Sequence, residues 1–282
     1  MVRIPANRFF MGTEDQDGFP QDGEGPVREV LLDSFHIDET TVTNRQFAAF
    51  IKATGYRTDA ERFGWSFVFW MLLTDKVLRR EPKTVLDAPW WCVIEGACWD
   101  RPEGPGTSIV HRLDHPAVHV SWNDAMAYCQ WAGKRLPTEA EWECAARGGL
   151  EKKRYPWGDE LMPGGEHQCN IWQGVFPERN TKEDGFLGTA PARSFKPNGY
   201  GLYNVSGNVW EWCQDWFSAS ASSQSSRENP TGPSEGTTKV VRGGSFLCHE
   251  SYCNRYRVAA RTSNSPDGST SNSGFRCVLS ER

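Results

Sequence analysis

Cys248 and Cys253 stand five residues apart in Arg242-Gly243-Gly244-Ser245-Phe246-Leu247-Cys248-His249-Glu250-Ser251-Tyr252-Cys253-Asn254-Arg255-Tyr256-Arg257. They follow a Gly-Gly-Ser turn and lie among arginines, whose charge favours the thiolate form. Two thiols on one short loop suit redox or soft-metal chemistry, because soft sulfur ligands select a monovalent d10 copper ion over harder divalent cations. The spacing by itself fits equally a local disulfide, half of a zinc site, or two unrelated core cysteines.

A second constellation is rich in oxygen. Asn170-Ile171-Trp172 and Asp184-Gly185-Phe186 flank one loop, and Asn204, Gly207, Val209 and Glu211 punctuate Tyr203-Asn204-Val205-Ser206-Gly207-Asn208-Val209-Trp210-Glu211. Side-chain and carbonyl oxygens of this kind suit Ca2+, which takes several hard ligands in flexible geometry. There is no EF-hand spacing, and on spacing alone these residues read as solvated loop polarity.

Several common machineries are excluded. The chain has no C-x-x-C, no C-x-x-C-H, no H-E-x-x-H, no phosphate-binding lysine loop, and no G-x-G-x-x-G that opens a helix after a strand. Its six histidines form no ligand helix, and His115 and His119 read as satisfied core or capping residues.

The run RGGSFLCHESYCNRYRVAAR, with Asn272-Ser273-Gly274-Phe275-Arg276-Cys277, closely resembles the catalytic segment of the formylglycine-generating enzymes, the sulfatase-modifying factors. Phe35-His36-Ile37-Asp38-Glu39, His115-Pro116-Ala117-Val118-His119-Val120-Ser121-Trp122, Gly133-Lys134-Arg135-Leu136-Pro137-Thr138-Glu139 and Asn198-Gly199-Tyr200-Gly201-Leu202-Tyr203-Asn204 are similar to that family too, so the resemblance spans nearly the whole chain. It implies one domain over 1–282, an α+β, compact, loop-rich fold of low regular secondary structure related to C-type-lectin-like domains.

The resemblance also implies an oxidoreductase. Cys248 and Cys253 match the paired cysteines that hold Cu(I), and Ser245 matches an active-site serine. The third sulfur comes from the cysteine of a Cys-x-Pro-x-Arg-like motif in an unfolded sulfatase. With O2 as co-substrate and an external thiol reductant, a hydrogen leaves the substrate Cβ, and hydrolysis of the thioaldehyde gives formylglycine. His249 and Tyr252 lie within the loop, either lining the site or turned outward. Trp216 and Asn272 match positions near the peptide groove, although Trp216 also reads as a core ring after a helix-like VWEWCQDW. At Trp65 the chain carries an aromatic where some relatives have a carboxylate, so the acidic partner of the substrate arginine is not identified. The two structural calcium sites fall on Asn170, Ile171, Asp184 and Phe186, and on Asn204, Gly207, Val209 and Glu211. Cys129 and Cys277 match a pair that is disulfide-linked in secretory-pathway relatives and are expected to be neighbours.

Rival readings are a non-catalytic, calcium-binding lectin-like module, a relative of the iron-dependent sulfoxide synthases, and the same chemistry on a non-sulfatase protein. The second needs a histidine triad that nothing in this chain provides.

The elements that must position these residues are modest. With 282 residues, of which 38% are hydrophobic, the chain can bury one substantial core, and 13 Trp with 27 Gly point to large rings filling gaps between irregular loops. A net charge of -5 gives no reason to expect nucleic acid or an anionic membrane as partner. No apolar run is long enough to span a bilayer, and Met1-Val2-Arg3-Ile4-Pro5 does not open a signal peptide, so a cytoplasmic monomer is expected. Nine scattered cysteines fit reduced, packed thiols better than a disulfide framework.

Capping signals predict helices opening at Thr43, Ser121 and Thr138 and ending near Gly55, Gly133 and Gly148. Strands are predicted at Val2 to Ile4, Val30 to Ile37, Val118 to Val120, Lys239 to Arg242 and Gly274 to Leu279, with the two terminal strands pairing to close the domain. The stretch from Ser218 to Thr238, rich in Ser, Gly and Pro, is predicted to be an exposed, mobile loop.

Overall fold

The computed structural model describes residues 1–220 and 226–281, so part of the loop predicted from Ser218 to Thr238 lies outside the described residues. Its strands are short: β1 Val2–Ile4, β2 Asn7–Met11, β3 Arg28–Leu32, β4 Phe35–Ile37, β5 Trp65–Phe69, β6 Thr84–Val85, β7 Ala88–Glu95, β8 Gly174–Val175, β9 Arg179–Asn180, β10 Trp210–Trp216, β11 Lys239–Arg242, β12 Arg261–Asn264, β13 Ser273–Gly274 and β14 Val278–Ser280. The helices are α1 Asn44–Thr54, α2 Asp59–Phe63, α3 Asp75–Leu78, α4 Trp122–Trp131 and α5 Glu139–Arg147.

The three predicted helices form for the predicted reason. Thr43 with Gln46, Ser121 with Asp124 and Thr138 with Glu141 each close a reciprocal capping box, which satisfies two otherwise orphaned backbone donors. Gly55 and Gly148 end α1 and α5 in the left-handed region. Helix α2 carries the same signature, Thr58 with Glu61, and was not anticipated. Phe47 and Phe50 of α1 and Cys129 of α4 are buried, joining Trp212, Phe275 and Cys277 in one of two main clusters. The other gathers Ile4, Phe35 and Ile37 with Trp142 and Val258.

The terminal strands come into one sheet but do not pair with each other as predicted. β4 lies between the terminal strands in the order β1-β4-β14, both partners antiparallel, so Ile37 faces Val2 on one side and Val278 on the other. Three strand expectations are corrected. The segment predicted from Val30 to Ile37 divides into β3 and β4, which belong to different sheets, and the last segment divides into β13 and β14. Val118 to Val120 is not a strand, because His119 sits at φ 57, which an extended ladder does not accommodate. The helix-like reading of VWEWCQDW also fails. That stretch is β10, held between antiparallel β11 and parallel β13, and its aromatic residues fit a pleated surface buried on both faces.

The four-stranded sheet β12-β11-β10-β13 positions the site. The loop that leaves β11 carries both cysteines and returns as β12. Arg242, the last residue of β11, pairs with Glu139 at 3.0 Å and also with Glu143, both on buried α5, which anchors the start of that loop. Among the described residues no helix is long and apolar enough to cross a membrane.

Candidate active site

The cysteine loop turns where glycine is required. Gly243 and Gly244 have φ of 90° and 73°, and a Cβ at Gly244 would come within 3.0 Å of Arg255 O and Tyr256 N. Next, Cys248 N donates to Ser245 O at 2.9 Å, and both Tyr252 N and Cys253 N donate to His249 O, at 3.0 and 2.7 Å. This tight turn folds the second cysteine back onto the first. The two Sγ atoms lie 2.9 Å apart as free thiols, a contact and not the roughly 2.05 Å bond of a disulfide.

Both sulfurs are buried, yet both line a cleft of about 250 Å3 together with Ser245, Trp210, Trp90 and Asn272. Their protonation is unequal. The hydrogen bond with Cys248 brings the Cys253 thiol down to about 7, with help from the Arg255 guanidinium and against the effect of burial. Burial pushes Cys248 well up. Of the two sulfurs, Cys253 is therefore the one that ionises first. Arg255 Nη1 lies 3.8 Å from Cys253 Sγ, and its Nε donates to Asp22 at 2.5 Å. The Asp22 segment comes from the N-terminal third of the chain, and Glu24 pairs with Arg257 at 2.5 and 2.7 Å. The cysteine loop is thus clamped from outside.

The remaining sequence candidates are distributed as follows. Ser245 Oγ accepts from Asn272 Nδ2 at 2.8 Å, and both residues line the same cleft as the two cysteines. Tyr252, 41% exposed, stacks on Phe176 with centroids 4.4 Å apart and meets Trp90 edge-on at 5.0 Å, forming an aromatic ledge at the mouth. His249 bonds Ser251 Oγ at 2.8 Å and lines a different depression with Glu250, Trp172 and Tyr256. Trp216 is not in the cleft lining; its ring covers the Lys239 ammonium at 3.6 Å. Trp65 is half-buried between Phe63 and Phe67. Sequence reasoning missed Trp90, Trp210 and Thr270 in this lining, and Phe176, which packs against Trp90 and Tyr252. Trp210 and Thr270 carried a local signal, in their nearness to the Asn204–Glu211 run and to Asn272.

Cys129 and Cys277 are the neighbours expected, buried with sulfurs 3.5 Å apart as free thiols.

Of the oxygen-rich positions, the first set is drawn together by Asp184, whose carboxylate accepts from Ile171 N at 3.1 Å and Phe186 N at 3.0 Å. Burial raises its pKa. Gly207 allows the two loops to meet, since a Cβ there would lie 2.3 Å from Asn170 O. Asn170 Oδ1 and Asn204 Oδ1 are buried with no hydrogen-bond partner, the condition a cation would relieve. Glu211 differs: its oxygens accept from Trp142 Nε1 and from Arg276 at 2.6 to 2.7 Å, so it offers no free carboxylate to a cation. Val209 is buried beside it. Among the described residues no three His, Cys, Asp or Glu side chains converge as a metal cluster.

A loop-rich α+β domain with a clamped pair of free cysteines lining a cleft defines the class. The chain belongs to the sulfatase-modifying factor family, whose "Sulfatase-modifying factor enzyme 1-like domain" matches residues 1–281. It is 64% identical over 281 residues to a protein of Thermomonospora curvata named "Formylglycine-generating enzyme", covering 99% of this chain and 92% of that one. It is also 46% identical to the Bos taurus protein named "Inactive C-alpha-formylglycine-generating enzyme 2", over 99% of this chain and 87% of that one. In structure it is similar to PvdO from Pseudomonas aeruginosa, with a TM-score of 0.68 and 25% identity over 98% of this chain and 92% of that one.

Proposed function

We propose that this protein activates sulfatases by oxidising one cysteine of a Cys-x-Pro-x-Arg-like segment to formylglycine. The observation that carries the reading is the Cys248–Cys253 pair, 2.9 Å apart and facing a cleft beside Ser245. Kinship with proteins that bear the enzyme's name supports it.

The balance requires four electrons for O2. Two come from the substrate, as its Cβ–H bond breaks and carbon is oxidised to the aldehyde level. Two come from an external thiol reductant, and the products are formylglycine, sulfide and water. Cys248 and Cys253 fit as a soft-metal donor set: two adjacent sulfurs, one of them lowered in pKa, in a lining that among the described residues holds no carboxylate or imidazole. Copper(I) bound there would supply the one-electron O2 chemistry that no side chain supplies.

This chain's own residues do the rest. Arg255 favours negative charge on Cys253, Ser245 presents a hydroxyl to the reacting sulfur, and Trp90 and Tyr252, backed by Phe176, wall the approach of an extended, unfolded polypeptide. The lining contains no carboxylate among the described residues, so the substrate arginine is bound beyond the cleft or by its backbone. Calcium at Asn170, Ile171, Asp184 and Phe186, and at Asn204, Gly207 and Val209, would tie the loops behind the cysteine turn. A cytoplasmic monomer remains part of this reading.

The test is aerobic incubation of the protein with Cu(I), a thiol reductant and a Cys-x-Pro-x-Arg peptide, followed by aldehyde trapping. Trapped aldehyde on that cysteine supports the proposal. Peptide binding without aldehyde leaves the non-catalytic module, a reading favoured by the relative named inactive.

A further inference from the structure

Ser245 Oγ receives two hydrogen bonds, from Asn272 Nδ2 at 2.8 Å and from Leu247 N at 3.3 Å. Both hydroxyl lone pairs are thereby used, and the Ser245 hydrogen has no acceptor among the described residues other than what enters the cleft. Whether this holds depends on which way the Asn272 amide faces. Thr270 Oγ1 lies 2.7 Å from Asn272 Oδ1 and 2.7 Å from Ser273 Oγ. With its single hydrogen given to the amide oxygen, Thr270 accepts from Ser273.

The four side chains then form a one-way chain along the cleft wall: Ser273 to Thr270 to Asn272 to Ser245 to the cleft. The structure sets the amide with Oδ1 toward Thr270 and Nδ2 toward Ser245; the opposite direction has the same shape but would consume the Ser245 hydrogen. Each donor in such a chain is strengthened by the one behind it.

The segment is also pinned from outside. His119 N donates to Thr270 O at 2.9 Å, and its imidazole Nδ1 meets Ser66 Oγ at 2.8 Å, which in turn contacts Ser269 Oγ at 2.8 Å. His119 is fully buried, and its φ of 57° aims the backbone N–H at this segment. We infer that Thr270 is a positioning residue that fixes the Asn272 amide, so that Ser245 serves as an obligate hydrogen-bond donor to the substrate sulfur or the oxidant at the cysteine pair. The inference deepens the function proposed above and rests on it for its kinetic arm.

The test compares Thr270→Val, which keeps shape and removes the hydroxyl, with Thr270→Ser, which restores it. Thr270→Val is expected to lower kcat on the Cys-x-Pro-x-Arg peptide roughly tenfold, the scale of one oriented hydrogen bond, with KM within about twofold. Thr270→Ser should return most of the loss. In the resting wild-type protein, side-chain amide NMR of labelled asparagine should show Asn272 Nδ2 hydrogens close to Ser245 and remote from Thr270, and Thr270→Val should scramble that order. Full kcat in Thr270→Val, or an Asn272 amide facing Thr270 in the wild type, overturns the inference. The NMR arm needs no turnover and no fold-sensitive variant, so absence of aldehyde from the wild-type protein would count against the proposed function alone.

Discussion

The Cys253 thiol is brought down first by its hydrogen bond with Cys248 and then by Arg255, a cation itself held by an anion, so two substitutions around that cation should move it in opposite directions. Arg255 lies 3.8 Å from the sulfur, and at an effective dielectric of about 20 a unit charge about 4 Å away contributes about 4 kcal/mol. Asp22, 2.5 Å from Arg255 Nε, cancels the larger share and leaves roughly 1 to 2 kcal/mol, or about one pKa unit. Arg255→Gln should therefore raise the Cys253 value from about 7 by one unit or more, because the cation goes and Asp22 is uncovered. Asp22→Asn should lower it by about two units, because the roughly 2 to 3 kcal/mol that Asp22 cancels is restored. The assay is the pH dependence of alkylation in reduced, metal-free protein, with peptide mapping to isolate Cys253. Shifts of the same sign in both variants, or none in either, would refute the argument. The same coupling bears on stability: the folded value lies below the roughly 8.5 of a free cysteine, so its contribution is present above pH 8.5 and lost as pH falls through about 7.

Gly244→Ala should lower stability by roughly 1 to 3 kcal/mol, since φ is 73° and the new Cβ would press on Arg255 O and Tyr256 N at 3.0 Å; an unchanged melting curve would show that the turn does not need glycine. Asp215 is buried against Glu139, and burial raises its pKa to about 7, above the roughly 3.9 of the unfolded chain. Its contribution is full below pH 3.9 and lost as pH rises through about 7, so Asp215→Asn should gain in melting temperature relative to the parent between pH 5 and pH 8; a pH-independent difference would contradict this. Added Ca2+ should raise the melting temperature because an ion bound only by the native state stabilises it, and Asn170→Ala should blunt the rise; no response to Ca2+ or to chelation would remove calcium from the account.

What was legible in the sequence is what is local. The cysteine turn, its glycines and its arginines occupy one continuous segment, and α1, α4 and α5 announce themselves by a side-chain oxygen three residues before its partner. Helix α2 had the same signal, but in five residues it shows no hydrophobic period. β10 was misread because its period of two is broken: Gln214, exposed, interrupts the face of Trp210, Trp212 and Trp216, while the opposite face buries the charged Glu211 and Asp215 beside Cys213. The far wall of the cleft was illegible because Trp90 and Phe176 reach Tyr252 only through tertiary packing. Trp216 and His249, chosen by position in the chain, face Lys239 and an outer depression instead of the sulfurs. Glu211 looked like a free carboxylate, and no local pattern shows that Arg276, 65 residues on, occupies it.

The central claim is that one thiol pair at the cleft floor carries both metal binding and turnover. Its most direct measurement is Cu(I) stoichiometry beside trapped aldehyde in the parent protein and in Cys248→Ser and Cys253→Ser, with melting temperature recorded for each. The expected result is one tightly held Cu(I) and aldehyde formation in the parent, with both lost in either variant while the fold persists. Aldehyde formation at the parental rate in both variants would contradict the account.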